Sequence, residues 1–213
     1  MTCEPQASAP SDMLLQAEAL ACRRGARLVC RVPALALQRG QSLWLRGRNG
    51  SGKTSLLRVL AGLAAPAEGS LQLAPTLQRL YIGHANALKD ELSVEENLQF
   101  SALLCGLQTS PERLQQALRG WGLWERRRQP ARALSQGLRR RCALARLALA
   151  DSHALWLLDE PFDALDDAGL AALDQALRAH LAAGGACVFS SHAAPALQTL
   201  PRELWLDAQG QPA

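Results

Sequence analysis

The sequence feature that most constrains the fold is a glycine-rich stretch at residues 47–54, GRNGSGKT. It matches the pattern GxxxxGK[ST] in full and lies between a β-like run at residues 42–45 and an apolar, helix-like segment at residues 53–63. Glycines let such a loop wrap a polyphosphate with backbone N–H groups, and the following helix presents its positive dipole end. The order strand, loop, helix therefore predicts a phosphate-binding loop in an α/β fold.

The residue types in this loop suggest individual roles. Lys53 is expected to reach the β- and γ-phosphates of a nucleotide, and the hydroxyl of Thr54 is expected to ligate Mg²⁺. The alternative is a glycine-rich turn with a chance lysine, which leaves the flanking strand and helix signals unexplained. We predict that the nucleotide is bound by Gly47, Arg48, Asn49, Gly50, Ser51, Gly52, Lys53, Thr54 and Ser55.

A second motif, ALWLLDE at residues 154–160, has the form of a buried strand that ends in two acids. Such a strand delivers carboxylates to the edge of an α/β sheet where ligands bind. Asp159 is predicted to hold Mg²⁺, and Glu160 to act as general base for the attacking water. Many buried strands end in an acid, so the motif gains its value from the loop at residues 47–54. Together the two motifs predict an ATP-hydrolysing site.

The rest of the chain indicates one unit with a helical part. Ser93 and Glu96 have capping-box spacing, Ser110 begins another helix, and residues 93–133 are expected to form a helical subdomain. Helices then alternate with apolar runs, which is typical of a mostly parallel sheet. Two earlier β-like runs add a small β region. With 213 residues, we expect a single domain over residues 1–213.

Composition limits the classes of protein. The net charge of +4 is too small to indicate nucleic acid as a partner. The six cysteines contain no CxxC pair, which favours a reducing compartment, and the first twenty residues lack the pattern of a signal peptide. Residues 179–201 contain no Lys, Arg, Asp or Glu, but their apolar content is largely alanine. We therefore do not expect them to span a membrane.

Three further motifs choose among the nucleotide hydrolases. LSQGL at residues 134–138 precedes a helix and resembles the LSGGQ signature of ABC ATPases, with Leu138 in place of the final glutamine. FDALD at residues 162–166 resembles the D-loop of that family, and SSH at residues 190–192 places His192 after a β-like run. The chain thus resembles an ABC ATPase from about residue 14 to residue 206.

That resemblance implies several roles. Ser135 and Gly137 would bind the γ-phosphate of an ATP held by the opposite subunit of a homodimer, so each nucleotide needs both copies. His192 would act as the switch histidine, beside the catalytic residues Lys53 and Glu160, and Asp166 would be a dimer-contact acid. The implied fold is an ABC-type P-loop ATPase with a mostly parallel core sheet, a small antiparallel β region and a helical subdomain.

Two departures from the family pattern stand out. The zone that often supplies an aromatic residue for adenine reads CRRGARLVC, so stacking would fall to Arg23 or Arg24, unless both arginines are simply solvated. The family's Q-loop glutamine is missing, and His84 lies at or next to its position. A neutral imidazole can accept a water proton or bind a metal, so His84 is a candidate substitute. The alternative is that His84 only ends the strand.

Within the family, the block at residues 81–100 and the sequence LWLLDEPFDALD resemble the ATP-binding subunits of the bacterial haem exporter for cytochrome c maturation. This resemblance implies integral membrane partner subunits, a position on the cytoplasmic face of the inner membrane, and no haem binding by the chain itself. An ABC ATPase for another transport substrate, a soluble ABC ATPase acting on nucleic acid or ribosomes, and a nucleotide kinase are the alternatives.

Overall fold

The structure is a computed structural model, and it describes residues 12–152, 154–192, 194, 197 and 200–206. A long antiparallel hairpin opens the described chain, with β1 at Met13–Arg24 and β2 at Arg27–Gln38. β4 at Glu68–Leu73 pairs with the other edge of β1, which gives a three-stranded antiparallel sheet of order β2-β1-β4. The expected small antiparallel β region is confirmed.

The second sheet has five strands, all paired in parallel. They are β3 at Ser42–Arg46, β5 at Arg79–Ile82, β6 at Leu155–Leu158, β7 at Ala186–Ser190 and β8 at Arg202–Trp205, in the order β5-β6-β7-β3-β8. Every residue of β6 and β7 is buried, as the continuous apolar runs predict for strands covered on both faces. The α/β fold class is confirmed.

The helices cover the parallel sheet. They are α1 at Lys53–Leu60, α2 at Val94–Leu104, α3 at Pro111–Gly120, α4 at Gln136–Leu144 and α5 at Asp167–Ala182. α1 is shorter than the helix expected over residues 53–63. It ends there because Gly62 has φ of 77° and the backbone N–H groups of Gly62 and Leu63 close the last turn.

The segment at residues 93–133 is helical mainly in its first part. The side chain of Ser93 accepts from the N–H of Glu96 and the carboxylate of Glu96 accepts from the N–H of Ser93, so the capping box is present, and Ser110 caps α3. After α3 the described chain contains only two short 3₁₀ turns in this segment, Trp124–Arg126 and Ala131–Ala133. The sequence pattern therefore predicts the first half of the segment better than the second.

Two hydrophobic clusters lie on the two faces of the parallel sheet. One packs Trp44 and Phe189 with leucines of α2 and α3, and the other packs Leu43 and Val188 with α1 and the antiparallel sheet. In the described part of the charge-free stretch, α5 ends and the buried strand β7 follows. Among the described residues, no helix has the length and apolar character to cross a membrane.

Candidate functional site

The P-loop joins β3 to α1 and needs glycine at two crowded positions. Gly52 has φ of 96°, and a Cβ there would lie 2.6 Å from the Cβ of Cys30 and 2.7 Å from the carbonyl oxygen of Val29. Gly47 has φ of 142°, and a Cβ there would collide with the carbonyl oxygen of Leu206. Only glycine combines this backbone conformation with so little space. The conformation of the loop therefore depends on the glycines of the motif.

Two buried polar groups of the loop fit a phosphate ligand. The Nζ of Lys53 donates to the carbonyl oxygen of Gly47 at 2.8 Å, and the side chain of Lys53 lies inside the loop. The Oγ of Ser51 is buried and has no hydrogen-bond partner among the described residues. A buried hydroxyl without a partner is costly, and a phosphate oxygen is a partner that this loop can accommodate.

Asp159 is held from two sides at the end of β6. The hydroxyl of Thr54 donates to its Oδ2 at 2.8 Å, and the hydroxyl of Ser190, the last residue of β7, donates to its Oδ1 at 2.8 Å. The structure thus brings together Thr54 and Asp159, the two predicted Mg²⁺ ligands. Within the described part of the chain there is no cluster of three or more His, Cys, Asp or Glu side chains for a metal. Two hard oxygen ligands fit Mg²⁺ bound mainly through phosphates and water.

Glu160 has an unusual backbone conformation beside this pair. Its φ is 48°, and its N–H donates to the Oγ of Ser190 at 2.9 Å while its carbonyl oxygen accepts from Arg140 at 2.8 Å. Its Oε1 lies 3.4 Å from the Nε2 of His192, and its buried Oε2 has no partner among the described residues. A non-glycine residue in the left-handed region is strained and is held there by its surroundings.

The electrostatics of Glu160 suit a proton acceptor. Burial raises the pKa of its carboxyl, and the nearby His192 imidazole lowers that pKa in part. A general base works best when its pKa lies closer to neutrality than that of an exposed carboxylate. The raised pKa therefore fits the predicted role of Glu160 as general base.

His84 lies at the same edge of the sheet, two residues after β5. Its side chain is 72% exposed, and its Nδ1 lies 3.9 Å from the Oδ2 of Asp163. Together with Lys53 and Glu160 it lines the cavity above the P-loop. His84 is therefore close enough to the predicted nucleotide site to act there, and the role itself stays a prediction.

One cavity of about 370 Å³ joins most of the predicted residues, a volume in the usual range for ligand sites. Arg24, the last residue of β1, and Arg27, the first residue of β2, line it beside Val29. Arg24 is one of the two arginines considered for adenine stacking, and its contact with adenine stays a prediction. The other lining residues are Asn49, Gly50, Ser51, Gly52, Lys53, Thr54, Ser55, His84, Asp159, Glu160, Asp163 and His192.

The signature residues lie elsewhere. Ser135 caps α4, where its Oγ accepts from the N–H of Leu138 at 3.3 Å, and a Cβ on Gly137 would lie 3.0 Å from the carbonyl oxygen of Ala164. Neither Ser135 nor Gly137 lines the cavity above the P-loop. Within one chain, the structure does not bring the signature residues to the predicted phosphate site.

Asp166 has a local role in the structure. Its carboxylate caps α5 by accepting from the N–H of Gly169 at 3.0 Å, and it also accepts from the guanidinium of Arg141. Arg141 holds the pKa of the Asp166 carboxyl below its ordinary value. A part in a dimer contact, which the resemblance implies for Asp166, stays a prediction.

Two residues of the site were missed by sequence reasoning. Ser190 bridges Asp159 and Glu160, and Arg140 donates to the backbone of both acids. Ser190 stands in the SSH motif, two residues before His192, where its position at a strand end was a usable signal. Arg140 lies in a run of three arginines, and nothing local distinguishes it from its partly exposed neighbour Arg139.

Comparisons with known proteins identify the family of the chain. The family model described as ABC transporter matches residues 31–163. The chain is 48% identical to the cytochrome c biogenesis ATP-binding export protein CcmA of Cupriavidus necator, over 92% of this chain and 89% of the relative. It is 46% identical to the protein of the same name from Methylococcus capsulatus, over 85% of this chain and 92% of the relative.

Solved structures share the fold. A structure described as the ATP binding subunit of an ABC transporter superposes with a TM-score of 0.80 at 25% identity, covering 93% of this chain and 88% of that one. A putative ABC transporter ATP-binding protein from Pyrococcus furiosus has a TM-score of 0.78 at 22% identity, with 90% and 96% covered. The chain belongs to the ABC transporter family, among the ATP-binding proteins of that family.

Proposed function

We propose that this chain binds and hydrolyses Mg-ATP as the motor subunit of a membrane ABC transporter. The observation that carries the proposal is a single cavity in which the P-loop, the Thr54–Asp159 pair and the strained Glu160 meet. Phosphate, metal and attacking water each find a suitable group there.

Each side chain has a part in the proposed hydrolysis. Glu160 accepts a proton from the attacking water, or polarises it, and His192 contacts the carboxylate of Glu160. Lys53 binds the β- and γ-phosphates with the backbone of the P-loop. Thr54 and Asp159 would hold Mg²⁺. The bound ion would neutralise part of the negative charge of the phosphates.

The signature of α4 supports a head-to-tail homodimer. Ser135 and Gly137 do not line the cavity of their own chain, so in our proposal they complete the site of a second copy. Each of two ATP molecules then lies between the P-loop of one copy and the signature of the other. The chain as a whole, residues 1–213, would act as one ABC ATPase domain with a helical subdomain over about residues 93–133.

The helical subdomain supplies a surface for the integral membrane partners. Near the end of α2, Phe100, Leu103 and Leu104 are 38%, 76% and 71% exposed, which is unusual for large apolar side chains so close together. Docking on such a surface would hold the chain at the cytoplasmic face of the inner membrane. The ATPase would then be peripheral and attached through its partners.

The relatives named as cytochrome c biogenesis ATP-binding export proteins support a specific pathway. We propose that the transporter serves cytochrome c biogenesis by haem export, that the membrane subunits handle the haem, and that this chain binds neither haem nor nucleic acid directly. The alternative is a transporter for another substrate, which would use the same ATP site.

Two experiments test the proposal. Glu160→Gln keeps the shape of the side chain but removes the base, so we expect ATP binding to persist, turnover to fall by about 100-fold or more, and ATP-bound dimers to accumulate. Light scattering with saturating Mg-ATP and the membrane partners measures whether the dimer accumulates. A persistently monomeric variant would exclude the dimer.

The pathway is tested in a bacterial strain that lacks its own ATP-binding subunit for cytochrome c biogenesis. The intact chain should restore haem-stained c-type cytochromes, and the Glu160→Gln protein should not. If the intact chain failed to restore them although its ATPase activity in vitro was normal, the result would favour the alternative transport substrate.

A further inference from the structure

Arg140 is a buried cation outside the predicted motifs. It lies in α4, five residues after the signature serine Ser135, and only 3% of its surface is exposed. A buried guanidinium needs several acceptors to offset the loss of water. Its partners therefore show which parts of the molecule its charge holds together.

The two terminal nitrogens of Arg140 contact two different loops. One, Nη2, donates to the carbonyl oxygens of Asp159 at 2.9 Å and Glu160 at 2.8 Å. The other, Nη1, donates to the carbonyl oxygen of Gly83 at 2.9 Å and to the Oδ1 of Asn86 at 3.2 Å. Arg140 thus links α4, the helix that begins at the LSQGL signature and is called the signature helix below, to the backbone of the catalytic acids. It also links this helix to the loop that carries His84.

The contact with Glu160 acts where the backbone is strained. With φ of 48°, Glu160 is held by Ser190 at its N–H and by Arg140 at its carbonyl oxygen. Loss of either hydrogen bond would remove one of the two contacts that stabilise this unfavourable backbone conformation of Glu160. The direction of the Glu160 carboxylate therefore depends on α4.

We propose that Arg140 is a positioning residue that couples the signature helix to the catalytic acids and to the His84 loop of the same chain. The inference rests on the proposed function. When the signature of one copy engages the ATP of the other, movement of α4 reaches Glu160 and His84 through Arg140. The two ATP sites of the dimer are thereby coupled.

The shape of arginine suits this task. A planar fork of donors reaches two loops at once, whereas lysine offers one compact ammonium group and methionine offers no donor. Burial lowers the pKa of the Arg140 guanidinium, while the neighbouring acids, Asp163 first, act in the opposite direction. Lysine should therefore replace part of the function and methionine none.

The test compares Arg140→Lys and Arg140→Met with the intact protein in the reconstituted membrane complex. We expect the ATP dissociation constant to stay within threefold, kcat to fall at least tenfold for Met and less for Lys, and the Hill coefficient for ATP to approach one. Arg139→Met is the matched control, because Arg139 is adjacent on α4 but donates to Ala131 and Asp90 instead. It should change kcat less than twofold.

Asn86→Leu gives an independent test that leaves the hydrogen bonds of Arg140 to the backbone of Asp159 and Glu160 in place. It should lower the Hill coefficient in the same direction with a normal melting temperature. Unchanged kcat and Hill coefficient in Arg140→Lys and Asn86→Leu would overturn the proposal, as would ATP affinity that falls together with kcat. Intact protein without ATPase activity would instead contradict the proposed function.

Discussion

The nucleotide-facing edge of the parallel sheet and the helical segment at residues 93–133 use buried polar groups differently. At the sheet edge, the hydroxyl of Ser190 donates to the carboxylate of Asp159 and accepts from the backbone N–H of Glu160, so the hydrogen bonds hold the two proposed catalytic acids themselves. In the helical segment, the buried Asn97 donates to the carbonyl oxygens of Lys89 and Leu92, and Ser93 caps α2. These bonds hold the entry to a helix.

The difference has a functional meaning. Catalytic groups must be held in place before the reaction, because reorganisation during it would cost rate. A surface that docks a partner needs a stable frame and exposed apolar side chains, which the end of α2 supplies. We therefore expect changes at the sheet edge to act on turnover and changes at the helix caps to act on stability.

Ser190→Ala tests the sheet edge most directly. It leaves Asp159 with one hydrogen bond fewer and removes the acceptor for the N–H of Glu160. We expect turnover to fall about 10- to 100-fold, and stability to fall by about 1 to 3 kcal/mol. Steady-state ATPase assays and urea unfolding measure the two effects. Ser101→Ala in α2 is the control, and equal effects of the two variants on turnover would contradict the comparison.

His192→Ala tests the electrostatics of the same edge. Turnover should decline as the pH falls through the pKa of Glu160, because only the ionised carboxylate accepts a proton. His192 lowers that pKa against the effect of burial, so its removal should move the acidic limb of the pH profile to higher pH. The measurement is kcat against pH, with His84→Ala as the comparison. If the acidic limb of the profile lay at the same pH in His192→Ala and in the intact protein, an effect of His192 on the pKa of Glu160 would be excluded.

His84→Ala should have a smaller effect, because its side chain is largely exposed and only distantly contacts Asp163. We expect ATP affinity to stay within a few-fold, turnover in the membrane complex to decrease, and His84→Gln to restore part of it. ATPase activity of the reconstituted complex distinguishes the three proteins. Equal turnover in all three would remove His84 from the mechanism.

Ser93→Ala should leave catalysis unchanged. It removes the cap of α2, which typically costs about 1 kcal/mol of stability. Thermal unfolding and ATPase assays at varied ATP concentration check both expectations. A loss of ATP affinity would show that the helical segment and the sheet edge are less independent than the comparison implies.

Local sequence was sufficient for the features whose chemistry is local. The P-loop pattern depends on Gly47 and Gly52, whose backbone conformations only glycine adopts in that space. The capping box depends on two residues three positions apart, and the buried strands β6 and β7 depend on continuous apolar runs. These signals predicted the fold class. They also predicted that Thr54, Asp159 and Glu160 lie at one edge of the parallel sheet.

Tertiary structure decided what depends on distant partners. β8 has a short, largely exposed sequence and is a strand because it pairs with β3 across more than 150 residues of chain. The strained backbone of Glu160 exists because Ser190 and Arg140 hold it from two other elements. Arg140 looks like Arg139 in sequence, and only the folded chain buries Arg140 fully while leaving Arg139 partly exposed, because a helix turns each residue toward a different neighbour.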